Sequence, residues 1–334
     1  MRTTPLGTTG EHVSALALGC MQLGTLADDE TSFAVLDRYA EAGGTFLDTA
    51  DCYAWWWAQG TDGGQSEDVL GRWMAGRGNR DGTFVATKGS GRTDYAGAWP
   101  AGSPVADWDY ARQHFVGAGA ATLRTSLEAS LRRLRTDHVD LYYVHVDDRR
   151  TPLEETLGAL AELVAAGKVR HIGWSNVRTW RLERIRQLAA LHGWPAPVAV
   201  QQAYTYLPRR AGLRTPSVTD DEQLDYLTEH PDLTLVAYSP VLKGLYDVAP
   251  ELRSTVGASS DFAGDAGEAR LEAAREVADE LGVLPSQVVL AWLFAHTPRV
   301  VPIIGTSTAA RLDQAISALD LQLSVEQSAR LDAA

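Results

Sequence analysis

Thr45-Phe46-Leu47-Asp48-Thr49-Ala50-Asp51-Cys52-Tyr53 is an apolar, strand-like run that ends in a carboxylate, with a phenol a few residues beyond. The same design recurs in Thr83-Phe84-Val85-Ala86-Thr87, which ends in Lys88. Further strand-like runs end near Gly19, His145, Trp174, Gln202, Tyr238 and Ile304. Between them, apolar residues recur at helical spacing over roughly 29–43, 66–76, 120–135, 154–167, 178–192, 220–230, 268–282 and 308–319. Leu123, Leu127, Leu131 and Leu134 mark one such buried face. Eight strand–helix alternations without a long interruption predict an α/β fold, a (β/α)8 TIM barrel, with residues 1–334 as one domain. The competitor is an open doubly wound sheet. Its dinucleotide fingerprint is missing, because Gly19-Cys20-Met21-Gln22-Leu23-Gly24 has the wrong spacing.

Local signals agree with the barrel. Residues 3–14 read as an N-terminal β-hairpin that plugs the barrel bottom, and 285–296 and 324–334 as extra C-terminal helices. Thr151-Pro152-Leu153-Glu154 has the form of a capping box, and Ala166-Gly167-Lys168 that of a helix stop. Three long loops, 54–65, 89–119 and 241–267, follow strand ends on the face where such barrels carry their sites.

Composition narrows the function. The chain has 334 residues, 45% hydrophobic and 22% charged, as in ordinary globular domains. A net charge of −13 argues against nucleic acid or an anionic membrane as partner. Two cysteines, Cys20 and Cys52, suggest no disulfide framework and fit a reducing compartment. No apolar run approaches the roughly 18 residues of a membrane span, and the N-terminus lacks a signal core. A cytoplasmic protein is expected.

On a barrel, strand ends converge on one mouth, so Asp48, Tyr53, Lys88 and His145 can meet there. Lysine is scarce: Lys88, Lys168 and Lys243 are three of the 30 Lys and Arg residues. A lysine at a strand end is then expected to serve as a compact, titratable ammonium. Beside Tyr53, Lys88 would favour the phenolate and lower its pKa, with Asp48 holding the ammonium. Tyr53 could then exchange a proton with a carbonyl oxygen, and His145 could hydrogen-bond that oxygen. None of these groups donates hydride, so a reduction needs a cofactor. His145-Val146-Asp147 could be read as part of a metal site, but no second histidine or cysteine cluster supports it, and no metal is expected.

These residues resemble the aldo-keto reductase family over nearly the whole chain. The resemblance is carried by Asp48-Thr49-Ala50-x-x-Tyr53, Gln65-Ser66-Glu67-x-x-Leu70-Gly71, Thr87-Lys88 and Asp140-Leu141-Tyr142-Tyr143-x-His145. It extends through Gly167-Lys168-Val169-Arg170-x-Ile172-Gly173-x-Ser175-Asn176, Gln202, Tyr238-Ser239-Pro240 and Val301-Pro302-Ile303-Ile304-Gly305-Thr306. It implies an oxidoreductase that reduces an aldehyde or ketone, or oxidises the alcohol, with Asp48, Tyr53, Lys88 and His145 catalytic. It also implies NADP(H), with NAD(H) as the other candidate, bound extended. Ser175, Asn176 and Gln202 would hold the carboxamide and Tyr238 would stack on the nicotinamide. The segment Ser239, Pro240, Leu242 and Lys243 would approach the pyrophosphate. Gly305, Thr306, Ser307, Arg311 and Gln314 would surround the adenosine. The chain departs from the family at Ser307 and Ala315, where basic and asparagine residues are common. Recognition of a 2′-phosphate then rests on Arg311.

After Tyr53 the chain runs Ala54-Trp55-Trp56-Trp57-Ala58-Gln59-Gly60 in place of a short glycine-rich turn. Three consecutive indoles cannot all face one core. At least one of Trp55, Trp56 and Trp57 is therefore expected to turn toward the mouth, with one or two of them forming a wall for the substrate that Trp99 and Trp108 could join. With the nearby acidic residues, that wall would suit a sugar or a glycosylated aromatic. The expected partner is a small-molecule carbonyl or alcohol. Two other functions compete: a cofactor-free lyase using Lys88 as Schiff base, and a non-catalytic cofactor-binding subunit.

Overall fold

In the computed structural model, which describes residues 1–57, 59–213, 215–256, 262 and 265–334, eight parallel strands close into a barrel. In chain order the elements are β1 (Thr3–Pro5), β2 (His12–Ser14), β3 (Ala17–Gly19), α1 (Asp29–Glu41), β4 (Phe46–Asp48), α2 (Gln65–Arg77), β5 (Phe84–Gly89) and α3 (Trp108–Gln113). Then come α4 (Ala120–Leu134), β6 (Val139–Val144), α5 (Leu153–Ala165), β7 (Val169–Ser175), α6 (Thr179–His192), β8 (Ala199–Ala203) and α7 (Asp221–Glu229). The chain ends with β9 (Thr234–Tyr238), α8 (Asp265–Leu281), α9 (Pro285–Ala295), β10 (Val300–Gly305), α10 (Ala309–Ser317) and α11 (Val325–Ala333). Strands β3 to β10 follow one another around the barrel, and β10 pairs with β3 to close it.

The strand ends, the hairpin and both extra helices lie where the sequence pattern puts them. Hairpin residues Leu6 and Val13 are fully buried with Phe46, Phe84, Leu141, Val236 and Val301, so the hairpin does plug the barrel. The helix stop after α5 is a glycine with φ +71°, and the amide of Lys168 reaches back to the Leu163 carbonyl at 3.1 Å. The capping box at Thr151 is not formed. Pro152 occupies the N-cap, and the Thr151 hydroxyl donates instead to Asp148 at 2.6 Å. The 89–119 loop contains the short helix α3, and residues 257–261 and 263–264 of the 241–267 loop lie outside the described residues.

The interior cluster sets the phase of every strand. Side chains alternate across a strand, so Phe46, Phe84 and Leu141 inside put Asp48, Lys88 and His145 on the same inward face. Gly173 on β7 belongs to this packing: a Cβ there would come within 2.6 Å of the Tyr143 ring. Among the described residues no single helix is long and apolar enough to cross a membrane.

Candidate active site

Lys88 is the hub of the barrel mouth. Its side chain is completely buried, and its ammonium donates to Asp48 Oδ1 at 2.6 Å, to the Thr49 carbonyl at 2.7 Å and to the Tyr53 hydroxyl at 2.7 Å. All three donor positions of an ammonium are thereby used. Asp48 is held from the other side by Gln201 Nε2 at 2.8 Å. The His145 ring meets the Tyr53 ring edge-on, with centroids 5.6 Å apart. Its backbone is pinned by the Gly89 carbonyl at 2.8 Å and by Asn176 Nδ2 at 2.7 Å. The four side chains singled out in the sequence are therefore together.

The electrostatics differ from the expectation in one respect. Burial pushes the Tyr53 phenol well above its ordinary pKa, and the Asp48 carboxylate adds to that. An unpaired Lys88 ammonium would pull the phenol down. The structure has the lysine charge already met by Asp48, so desolvation dominates and the phenol rests as a proton donor. Burial, with Lys88 beside it, takes the His145 imidazole down to about 3, so the ring is neutral at physiological pH.

A ring of further groups surrounds the mouth. Ser175 Oγ donates to the Gln201 carbonyl at 2.8 Å, and Asn176 sits at φ +54°. Tyr238, at the end of β9, donates to Asn176 Oδ1 at 3.0 Å. Beyond it, Ser239 (φ +54°), Leu242 (φ +46°), Lys243 (φ +57°) and Gly244 (φ +88°) form a left-handed loop, with the Lys243 side chain exposed. Pro240 is buried, and its carbonyl accepts from Thr205. Successive left-handed residues turn backbone amides to one side, as anion-binding nests do. Gly305 is exposed at the end of β10, Thr306 is buried and Ser307 is half-buried. Thr308 caps α10, whose first turns carry the exposed Arg311 and Gln314. Ala315 is buried in the core.

Gln202 does not reach the mouth. Its amide donates to the Val177 and Pro216 carbonyls and to Gln223, on the outer face of β8. Gln201, its neighbour, points inward to Asp48. The two glutamines must face opposite ways, and the phase set by the interior Ala199 selects Gln201. Trp55 is likewise no wall of the mouth. It is 1% exposed, packed on Tyr95 and Trp108, and its carbonyl accepts from Trp99 Nε1 at 3.2 Å. Trp56 is the indole that faces Tyr53, edge-on at 6.2 Å, and it stacks obliquely on the exposed Trp108. Trp57 is half-buried and touches Trp56; Ala58 lies outside the described residues. Asp147 and Asp148 are engaged by Arg181 and by Arg150 with Thr151.

The residues missed in the sequence lie directly behind the mouth. Glu67 is fully buried, accepting from Thr87 Oγ1 at 2.5 Å and from Arg133 at 2.6 Å. Asp51 is fully buried, and neither of its carboxylate oxygens has a hydrogen-bond partner. Burial and the Glu67 charge push it up to about 7. Burial and Asp51 likewise push the Cys52 thiol well above its ordinary value.

A parallel barrel with a phenol, an ammonium, a carboxylate and an imidazole gathered at its mouth defines a class of barrel acid–base site. The comparisons with known proteins give the family. Residues 15–334 match the model of the Aldo/keto reductase family, and the chain belongs to that family. It is 33% identical over 332 residues to the uncharacterised oxidoreductase YrpG of Bacillus subtilis, covering 98% of this chain and 93% of the relative. It is 34% identical to norsolorinic acid reductase stcV of Emericella nidulans, over 95% of this chain and 77% of that one. It is 30% identical to the aryl-alcohol dehydrogenase [NADP(+)] of Phanerodontia chrysosporium, over 95% of this chain and 81% of that one. A solved thermostable aldo-keto reductase, in complex with the inhibitor epalrestat, superposes with a TM-score of 0.72 at 28% identity, covering 100% of this chain and 99% of the other. The chain is thus an oxidoreductase of a family that acts on carbonyl groups.

Proposed function

We propose that the protein reduces an aldehyde or ketone, or oxidises the corresponding alcohol, with Tyr53 as the acid or base. The observation that carries this reading is the 2.7 Å contact between the Tyr53 hydroxyl and Lys88 at the barrel mouth. A neutral phenol donates to the carbonyl oxygen as that oxygen gains negative charge. The phenolate left behind lies against the Lys88 ammonium, which Asp48 orients, so the charge that develops is met by a charge already in place. The neutral His145 ring donates a second hydrogen bond to the same oxygen and fixes its direction. In the oxidative direction Tyr53 recovers the proton as a base.

The groups present fit a nicotinamide dinucleotide. Tyr238 offers an aromatic face beside Asn176 and Ser175, and Gln201, rather than Gln202, is the inward-facing glutamine. The loop from Ser239 to Gly244, left-handed at Ser239 and again at Leu242, Lys243 and Gly244, suits a pyrophosphate. Gly305, Thr306, Ser307, Arg311 and Gln314 line the approach to α10 for the adenosine end. When bound, such a cofactor supplies the hydride. The exposed Arg311 guanidinium favours NADP(H) over NAD(H) through a 2′-phosphate. The substrate reading is an aromatic carbonyl, supported by Trp56, which faces Tyr53 and packs on Trp108, and by the likeness to an aryl-alcohol dehydrogenase. Titration with NADPH and NADH, followed by tryptophan fluorescence, tests the cofactor reading. Binding of neither sinks it. Borohydride trapping of a carbonyl on Lys88 would favour the Schiff-base lyase instead, although a lysine with three partners at 2.6–2.7 Å is poorly placed as a nucleophile.

A further inference from the structure

Asp51, Cys52 and His145 each offer one ligand-type atom, and these atoms all lie within 4.8 Å of one another. We propose that they form a binding site for one thiophilic divalent cation of the zinc class, through an Asp51 carboxylate oxygen, Cys52 Sγ and His145 Nδ1. Three independent features support the assignment.

The first is ligand spacing. With zinc–sulfur and zinc–nitrogen bonds of about 2.3 and 2.1 Å at a tetrahedral angle, the two ligand atoms stand about 3.6 Å apart. Cys52 Sγ and His145 Nδ1 are 3.4 Å apart. The second is the carboxylate. Asp51 is fully buried with both oxygens unpartnered, so it is free to turn onto an ion, and about 1 Å of adjustment completes a tetrahedral set. A buried charge normally has a partner; Arg92 and Arg133 act on this carboxylate only through space, and neither oxygen has a formed hydrogen bond. The third is room. Position 91 is glycine, and a Cβ there would stand 2.8 Å from Nδ1 and 3.3 Å from Sγ. Any larger residue would fill the face over the sulfur–nitrogen pair, the face from which a water can complete the coordination.

Charge also balances. A thiolate and a carboxylate neutralise a dication, and Lys88 nearby is already matched by Asp48 at 2.6 Å. Binding releases the Cys52 thiol proton to solvent. Because the metal takes Nδ1, the remaining ring proton is fixed on Nε2 and the imidazole is locked to the ion rather than free to follow the substrate oxygen. The cation therefore inhibits turnover. That consequence rests on the proposed reductase function, whereas the binding does not.

The test uses the full chain, stripped with a chelator and titrated with Co2+, a spectroscopic stand-in for zinc. One equivalent is expected to bind with a thiolate-to-cobalt charge-transfer band, and zinc is expected to displace it. The band persists in Cys20→Ala and is absent in Cys52→Ala. Asp51→Asn weakens binding at least about tenfold. If Cys52→Ala fails to fold, the zinc-dependent rise in the wild-type melting temperature, lowered in Asp51→Asn, reads the same site. Absence of the band in folded wild-type protein, its survival in Cys52→Ala, or no thermal shift with zinc overturns the proposal. None of these readouts needs turnover, so failure here and failure of the reductase reading are distinguishable.

Discussion

Lys88→Met removes the hub of the mouth while keeping most of its volume. The wild-type ammonium has no exposed surface and satisfies Asp48 Oδ1, the Thr49 carbonyl and the Tyr53 hydroxyl at 2.6–2.7 Å. In the variant, Asp48 keeps only Gln201 at 2.8 Å and a long contact to Tyr53 at 3.5 Å. Removing one member of a buried pair leaves an uncompensated charge, which costs about 3–5 kcal/mol. Neutralising the partner as well should restore much of that. The double variant Asp48→Asn/Lys88→Met is therefore expected to be more stable than Lys88→Met alone, the sign being that of a coupled pair. Urea unfolding at neutral pH, followed by circular dichroism with m-values compared, measures it. A loss below about 1 kcal/mol for Lys88→Met, or additive effects of the two substitutions, would refute the claim that the pair is buried and coupled.

Further outcomes follow from the same geometry. Tyr53→Phe should abolish carbonyl reduction while leaving NADPH affinity within about threefold, read by single-turnover kinetics and fluorescence titration. Trp55→Ala should cost about 3–5 kcal/mol of stability as a core truncation, whereas Trp56→Ala should leave stability nearly intact and raise KM for aromatic carbonyls. Gln202→Ala should cost about 1–3 kcal/mol by orphaning the buried Val177 amide and removing a donor from the Val177 and Pro216 carbonyls, with little change in cofactor affinity; Gln201→Ala should act on turnover. Asp51 has a folded pKa of about 7, raised above its unfolded value. Its stabilising contribution is complete below the unfolded pKa of about 3.9 and is lost as pH rises through about 7. With chelator present, Asp51→Asn should therefore gain on the wild type between pH 4 and 7, by up to about 1.4 kcal/mol per pH unit. Parallel stability curves for the two proteins would contradict the burial of that carboxylate.

What was legible in the sequence was whatever leaves a periodic or punctuated trace. The eight helices of the repeat show as apolar stripes, and the hairpin and two extra helices stand outside that count. Strand ends are visible because an apolar run stops at Asp48, at Lys88 and at His145. The phase of a strand is harder to read. Parallel barrel strands are buried on both faces, so Val198-Ala199-Val200-Gln201-Gln202 shows no polar–apolar alternation to say which glutamine faces the axis. Only the interior packing of Ala199 decides it. Thr151 failed as a cap because Asp148, three residues earlier, competes for its hydroxyl. The burial of Trp55 depends on the 89–119 loop folding over it, a contact 44 residues away in sequence. The Asp51–Cys52–His145 group was hidden for the same reason: its members come from two strand ends that only the fold brings together.

The central claim is that the mouth around Tyr53 protonates a carbonyl oxygen while hydride arrives from a bound nicotinamide. The most direct test is to incubate the protein with NADPH deuterated at the transferring position and an aromatic aldehyde or ketone, and to read the alcohol by mass spectrometry. One cofactor-derived deuterium on the carbinol carbon with wild-type protein, and no labelled product with Tyr53→Phe, is the predicted result. Unlabelled product, or label incorporation that persists undiminished in Tyr53→Phe, would contradict it.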